Sequence, residues 1–159
     1  MRFYTLYIFE IRVLKYEVET SRYLCSVEVT AEEIIRFARQ FDPQPFHLDE
    51  AAAKASPFGG LVASGWHTAS MCMRMVVDNL FVPGSGSIGS PGLDELRWLK
   101  PVRPGDVLRA HLEVLDVTPS RSKPDRGSSR IRYDVINQKN EKVMSFIGLG
   151  MFLRRPSAP

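Results

Sequence analysis

The chain is poor in cysteine, with only Cys25 and Cys72 in 159 residues. Two thiols cannot staple a domain of this size, so its stability has to come from an apolar core. Cys25 falls in an alternating segment and Cys72 in an apolar helical one. Both are therefore expected to be reduced and buried, which favours the cytoplasm. Long hydrophobic runs are also missing. The apolar stretch at residues 3–9 follows Arg2 but is cut by Glu10 and Arg12, and no small-residue cleavage site follows it. It is far below the roughly 18 residues of a spanning helix, so it reads as a starting strand with no membrane attachment expected. Charge of one sign is scarce: 21 Lys and Arg against 18 Asp and Glu leave +3. That can steer an anionic ligand but does not single out nucleic acid, and no nucleic-acid partner is predicted.

Several chemical signatures are missing too. His67 and His111 have no metal-ligand spacing to each other or to a cysteine, so no metal is predicted. Ser64 lacks the G-x-S-x-G context of a serine hydrolase. The glycine pair at 59–60 does not follow a strand as a phosphate-binding or dinucleotide fingerprint requires. The basic run at residues 121–126 reads best as a solvated loop. No repeat or long linker divides the chain. Residues 1–159 are thus predicted to form a single domain, with 1–20 as its N-terminal strand region and 154–159 as a tail.

What is present is patterning. Tyr23, Cys25, Val27 and Val29 alternate with polar neighbours as in a half-buried strand. Thr30-Ala31-Glu32-Glu33 is a capping box in which Glu33 can reach back to the Thr30 amide. Ile34, Phe37, Ala38 and Phe41 then give an amphipathic helix over 31–41, stopped at Asp42 by Pro43. Pro43 and Pro45 exclude regular structure over 42–48. A short helix over 51–55 is capped by Asp49 and followed by a turn at Phe58-Gly59-Gly60. A longer helix from Ser64 or Gly65 to about Phe81 is apolar nearly all round, which predicts a buried helix. Residues 83–87 read as a flexible loop. Strands are predicted at 93–99, over Leu108 to Val114, over Ile131 to Val135 and over 143–153, with a turn at 101–106 and a hairpin tip at 137–141. The expected fold is α+β: an antiparallel sheet wrapped around a long central helix.

Two segments could carry chemistry. Asp42-Pro43-Gln44-Pro45-Phe46-His47 brings a carboxylate and an imidazole onto one proline-framed loop, as general acid–base catalysis requires. The spacing alone is also compatible with a turn-forming Asp and a structural His. Ser64-Gly65-Trp66 opens the long helix, where free backbone amides could stabilise an oxyanion on a carbonyl. There Gly65 can equally serve tight packing, and Ser64 the N-cap.

Asp42-x4-His47, followed by Ser56-Pro57-Phe58-Gly59-Gly60 and Ala63-Ser64-Gly65-Trp66, resembles the MaoC-like acyl dehydratases. This hot-dog family includes (R)-specific enoyl-CoA hydratases. The turn Pro101-Val102-Arg103-Pro104-Gly105-Asp106 is similar to the family's as well, and the likeness spans roughly residues 22–153. The resemblance implies a single hot-dog domain and reversible hydration of an enoyl-CoA to a 3-hydroxyacyl-CoA. It implies that Asp42 and His47 are the catalytic pair, with Gly65 and Ser64 at the substrate's thioester oxygen. It also implies a homodimer or higher homo-oligomer, with coenzyme A entering only as part of the substrate. The chain departs from the family in Gln44-Pro45, where Asn-Pro is usual, in Ser64-Gly65, where His-Gly is common, and in residues 9–14. A hot-dog thioesterase and a non-catalytic acyl-CoA-binding or partner subunit are the alternatives. The first wants a carboxylate on or beside the central helix, and Asp78 lies near the wrong end of it.

Overall fold

The computed structural model describes residues 9–10, 15–16, 21–81 and 83–154. Most of the predicted N-terminal strand (3–8) and of the tail (155–159) lies outside the described residues. The N-terminal part that is described is a small ladder, β1 (Phe9–Glu10) against β2 (Lys15–Tyr16).

The remaining strands are β3 (Ser21–Glu28), β4 (Ser87–Trp98), β5 (Val107–Pro119), β6 (Arg126–Ile136) and β7 (Lys142–Leu153). They form one antiparallel sheet in the order β3-β5-β6-β7-β4. The alternation read from the sequence sets its inner face. Ala110 pairs with Val135, Leu112 with Tyr133 and Val114 with Ile131, all buried. Onto that face packs the long helix, numbered α4 (Gly65–Asn79), through Met71, Cys72, Met75 and Val76. This is the single α+β domain that the patterning predicts, a sheet wrapped around a central helix. Among the described residues, no helix is long and apolar enough to cross a membrane.

Between β3 and α4 lie three helices: α1 (Ala31–Phe41), α2 (Pro45–Leu48) and α3 (Glu50–Ala55). Thr30 caps α1 by accepting from the Glu33 amide (3.2 Å). The Glu33 carboxylate accepts from the Thr30 hydroxyl (3.1 Å), where a full capping box would have it accept from the amide. Asp49 caps α3 as expected, accepting from the Ala52 amide (2.7 Å).

Several expectations need correction. Residues 45–48 form a turn of helix, because Pro45 takes the first helical position, where no amide hydrogen is needed. Phe41, at the end of α1, is exposed. So are Trp66, Met73 and Val77 of α4, which is buried on one side and bare on the other. The segment read as a loop ends at Ser87, where β4 already begins. In β3 a register shift between Tyr23 and Ser26 breaks the alternation. Leu24, within the shift, and Val29, beyond it, are buried, while Tyr23 and Cys25 are exposed. Cys25 is therefore exposed, whereas Cys72 is fully buried and its thiol is pushed up to about 12 by loss of solvation.

Candidate active site

Asp42 is the residue at which α1 ends, its amide still donating to the Ala38 carbonyl (2.9 Å). Both oxygens of its carboxylate are held. Gln44 Nε2 donates to Oδ1 (2.8 Å) and the Ser64 hydroxyl to Oδ2 (2.6 Å). The Ser64 bond is the largest influence on its ionisation. Together with Gln44 and His47 it outweighs the cost of burial and holds Asp42 below the ordinary carboxylate range.

His47 rides on α2, and its side chain is only 7% exposed. Its Nδ1 lies 2.7 Å from the Val62 carbonyl oxygen. A carbonyl can only accept, so Nδ1 carries a proton and donates it there. Nε2 stands 3.5 Å from Asp42 Oδ2. Phe46 sets its ring edge-on to the imidazole at 4.5 Å, and Phe58 packs on Phe46 at 5.1 Å.

Ser64 takes the N-cap role open to it and adds a bond the sequence did not indicate. It is the N-cap of α4, accepting from the Trp66 amide (3.2 Å), and it donates to Asp42. Gly65 is the first residue of that helix, a position whose amide has no acceptor within the helix. Its missing side chain has a clear cause. A Cβ built there would lie 2.5 Å from Cε2 and 2.6 Å from Nε1 of Trp98, so the indole fills the room a side chain would take. Close packing thus explains the glycine by itself, and the amide stays at the helix start.

These residues share one cleft of about 560 Å³. Asp42, His47, Ser64 and Gly65 line it together with Trp66, Trp98, Leu99 and Val102. The predicted site residues are therefore brought together, although 22 residues separate Ser64 from Asp42. Two further parts escaped the sequence reading. The Val62 carbonyl is backbone and leaves no trace in residue type, and Trp98 looked like one more position of an ordinary strand. His67 packs inside, stacked on Phe37 at 4.8 Å, and burial holds its pKa below the usual value.

Residues 15–137 match the family described as MaoC-like domain. The chain belongs to that family. A MaoC-like dehydratase from Rhodospirillum rubrum is similar at 45% identity and a TM-score of 0.81, over 87% of this chain and 94% of that one. The R-hydratase PhaJ1 from Pseudomonas aeruginosa is similar at 27% identity and a TM-score of 0.71, over 93% of this chain and 89% of that one. Among characterised sequences, a 3-hydroxybutyryl-CoA dehydratase of Methylorubrum extorquens is 31% identical over 72% of each chain. The fold is accordingly the hot-dog fold of these MaoC-like proteins, and these three relatives are by name two dehydratases and a hydratase.

Proposed function

We propose that this MaoC-like protein reversibly adds water to the double bond of a 2-enoyl-CoA thioester, yielding a 3-hydroxyacyl-CoA. The observation that carries the reading is the arrangement of His47 and Asp42. One imidazole nitrogen is tied to a carbonyl, and the other faces an ionised carboxylate 3.5 Å away at the cleft. A water in the cleft hydrogen-bonded to both Nε2 and Oδ2 would meet a base at one and an orienting acceptor at the other. His47 Nε2 takes a proton from this water as its oxygen bonds to C3. The double-bond electrons move toward the thioester oxygen, which the Gly65 amide stabilises, an effect worth about 3–4 kcal/mol for one such donor. The imidazolium, steadied by Asp42, then returns that proton to C2. The sum is one water added, with oxygen on C3 and hydrogen on C2, and the enzyme unchanged. The M. extorquens and P. aeruginosa relatives, by name a 3-hydroxybutyryl-CoA dehydratase and an R-hydratase, support this substrate class and reaction type.

Loss of the conjugated enoyl absorbance with purified protein tests the reading. Asp42→Asn and His47→Gln are each expected to lower turnover about 10²–10⁴-fold with the fold intact. Turnover that survives both substitutions, or none in the parent protein, refutes it. Release of free thiol from a saturated acyl-CoA would favour the thioesterase alternative. That alternative gains nothing from Asp78, which is engaged by Arg74 (2.7 Å) near the far end of α4. Stabilisation by acyl-CoA without turnover would favour the binding subunit.

We also assign a second copy of the chain to the bare side of α4. Trp66, Met73 and Val77, with Ile88 and Leu93 of β4, make an exposed apolar strip beside a strand that ends the sheet. A solitary soluble chain rarely leaves such a strip and such an edge open. Sedimentation at micromolar concentration should give at least a dimer, and a monomer there rejects the assignment.

A further inference from the structure

The register of β4 against β7 decides which way Trp98 faces. Asp94 pairs with Ile147 and Arg97 with Ser145, so β4 advances three residues while β7 advances two. The extra residue falls at Glu95–Leu96, and Glu95 takes φ +55, in the left-handed region. An inserted residue reverses the alternation of everything beyond it. In an unbroken strand Trp98 would share the outer face with Asp94. Past the bulge Arg97 takes that face instead, and Trp98, opposite the fully buried Met144, turns inward. Its indole then lies on Gly65 and edge-on to Trp66, with ring centroids 5.3 Å apart.

Along the seam between α4 and β4 the residues follow a fixed order. First come Ser64 and the Asp42–His47 pair, then Gly65 and Trp66 against Trp98. Beyond these, Met73, Val76 and Leu93 line a second cavity of about 230 Å³ together with Tyr133 and Phe146. Both indoles line the cleft and stay about half exposed, and the second cavity begins further along α4, at Met73 and Val76.

We propose that Trp98, turned inward by the bulge at Glu95, sets the length of acyl group the cleft accepts. With Trp66 it closes the α4–β4 seam beyond the dyad and restricts the substrate to short-chain thioesters. The proposal rests on the hydration reading for its choice of ligand. The chemistry of the wall suits a hydrocarbon end: apart from the two indole N–H groups, these rings present only apolar surface, which matches methyl and methylene groups and offers a pantetheine amide little to bond. A longer acyl group could advance only by displacing an indole. If the indole were gone, the seam would lead into the second cavity, which is already apolar.

The test compares the parent protein with Trp98→Ala, and with Trp98→Leu as a variant that keeps an apolar side chain at the seam. Each is assayed with crotonyl-, hexenoyl-, octenoyl- and decenoyl-CoA. The parent should favour crotonyl- over octenoyl-CoA by about tenfold or more in kcat/KM. Both variants, with unchanged circular dichroism, should move that ratio toward the longer substrate by about tenfold. Equal use of both substrates by the parent, or an unmoved ratio in a folded variant, overturns the proposal. A parent silent on every thioester overturns the hydration reading instead. The wall is then judged from dissociation constants for butyryl- and octanoyl-CoA. It stands if the variants gain about tenfold for octanoyl- relative to butyryl-CoA, and falls if they do not or if neither ligand binds.

Discussion

On one side of the cleft, Asp42 and His47 are fixed by hydrogen bonds, to Gln44, Ser64 and the Val62 carbonyl. On the other side Trp98 has no such tether among these bonds; register and contact set its position. The hydrogen-bonded side controls protonation, because each bond to a carboxylate or imidazole favours one charge state or tautomer. The packed side controls room, because an indole against a glycine tolerates little displacement. The two sides meet at consecutive residues of one helix start: Ser64 serves the first and Gly65 the second. Changes at these neighbours should therefore produce different kinds of damage.

The larger effect is expected at Gly65. An alanine there drives its methyl into the Trp98 ring, a kind of overpacking that costs about 1–3 kcal/mol. It also shifts the helix start against the dyad, and a misplacement of that order can lower turnover about 10²-fold. Chemical denaturation of Gly65→Ala in the parent and in a Trp98→Ala background checks the cause as a double-mutant cycle. If the contact with Trp98 is responsible, most of the cost disappears when the indole is absent. An equal cost in both backgrounds would mean that Gly65 is a glycine for some other reason, and the packed wall would lose its main support.

Much of this contrast was legible in the sequence, but unevenly. The pairing of Asp42 with His47 could be read because the two lie five positions apart in one segment framed by two prolines. The regular strands β5 and β6 could be read because their alternation is unbroken from Leu108 to Val114 and from Ile131 to Val135. What failed lay mostly at the edges of the sheet. A bulge inserts one residue without any change in composition, so Tyr23 and Cys25 were assigned to the wrong face of β3, and nothing marked Trp98 as pointing inward. Glu95 carries no warning either, since left-handed backbone usually announces itself through Gly or Asn. The apolar girth of α4 misled for a different reason. Burial of Trp66, Met73 and Val77 would need surface that the described residues of one chain do not supply.

The smaller effect is expected at Ser64, and its form distinguishes the two sides of the cleft most sharply. Ser64→Ala removes the N-cap of α4, worth about 1 kcal/mol of stability. It also removes the strongest of the bonds that hold Asp42 below the ordinary carboxylate range. The sign follows from which form that bond favours. It favours the ionised carboxylate, so without it the pKa of Asp42 rises and a proton is taken up at higher pH than before. If activity requires Asp42 as a carboxylate, the acidic limb of the kcat/KM profile should move upward in pH. Turnover at neutral pH should fall only about tenfold, since Gln44 still holds Oδ1. The preference for acyl length should not change, because Trp98 and Gly65 are untouched. Ser64→Thr, which retains a hydroxyl, should return the limb toward its original position. An acidic limb that stays in place would mean that Asp42 is not the group whose ionisation the reaction needs. An altered length preference would mean that the two sides of the cleft are one coupled structure, with charge and room no longer separable at the start of α4.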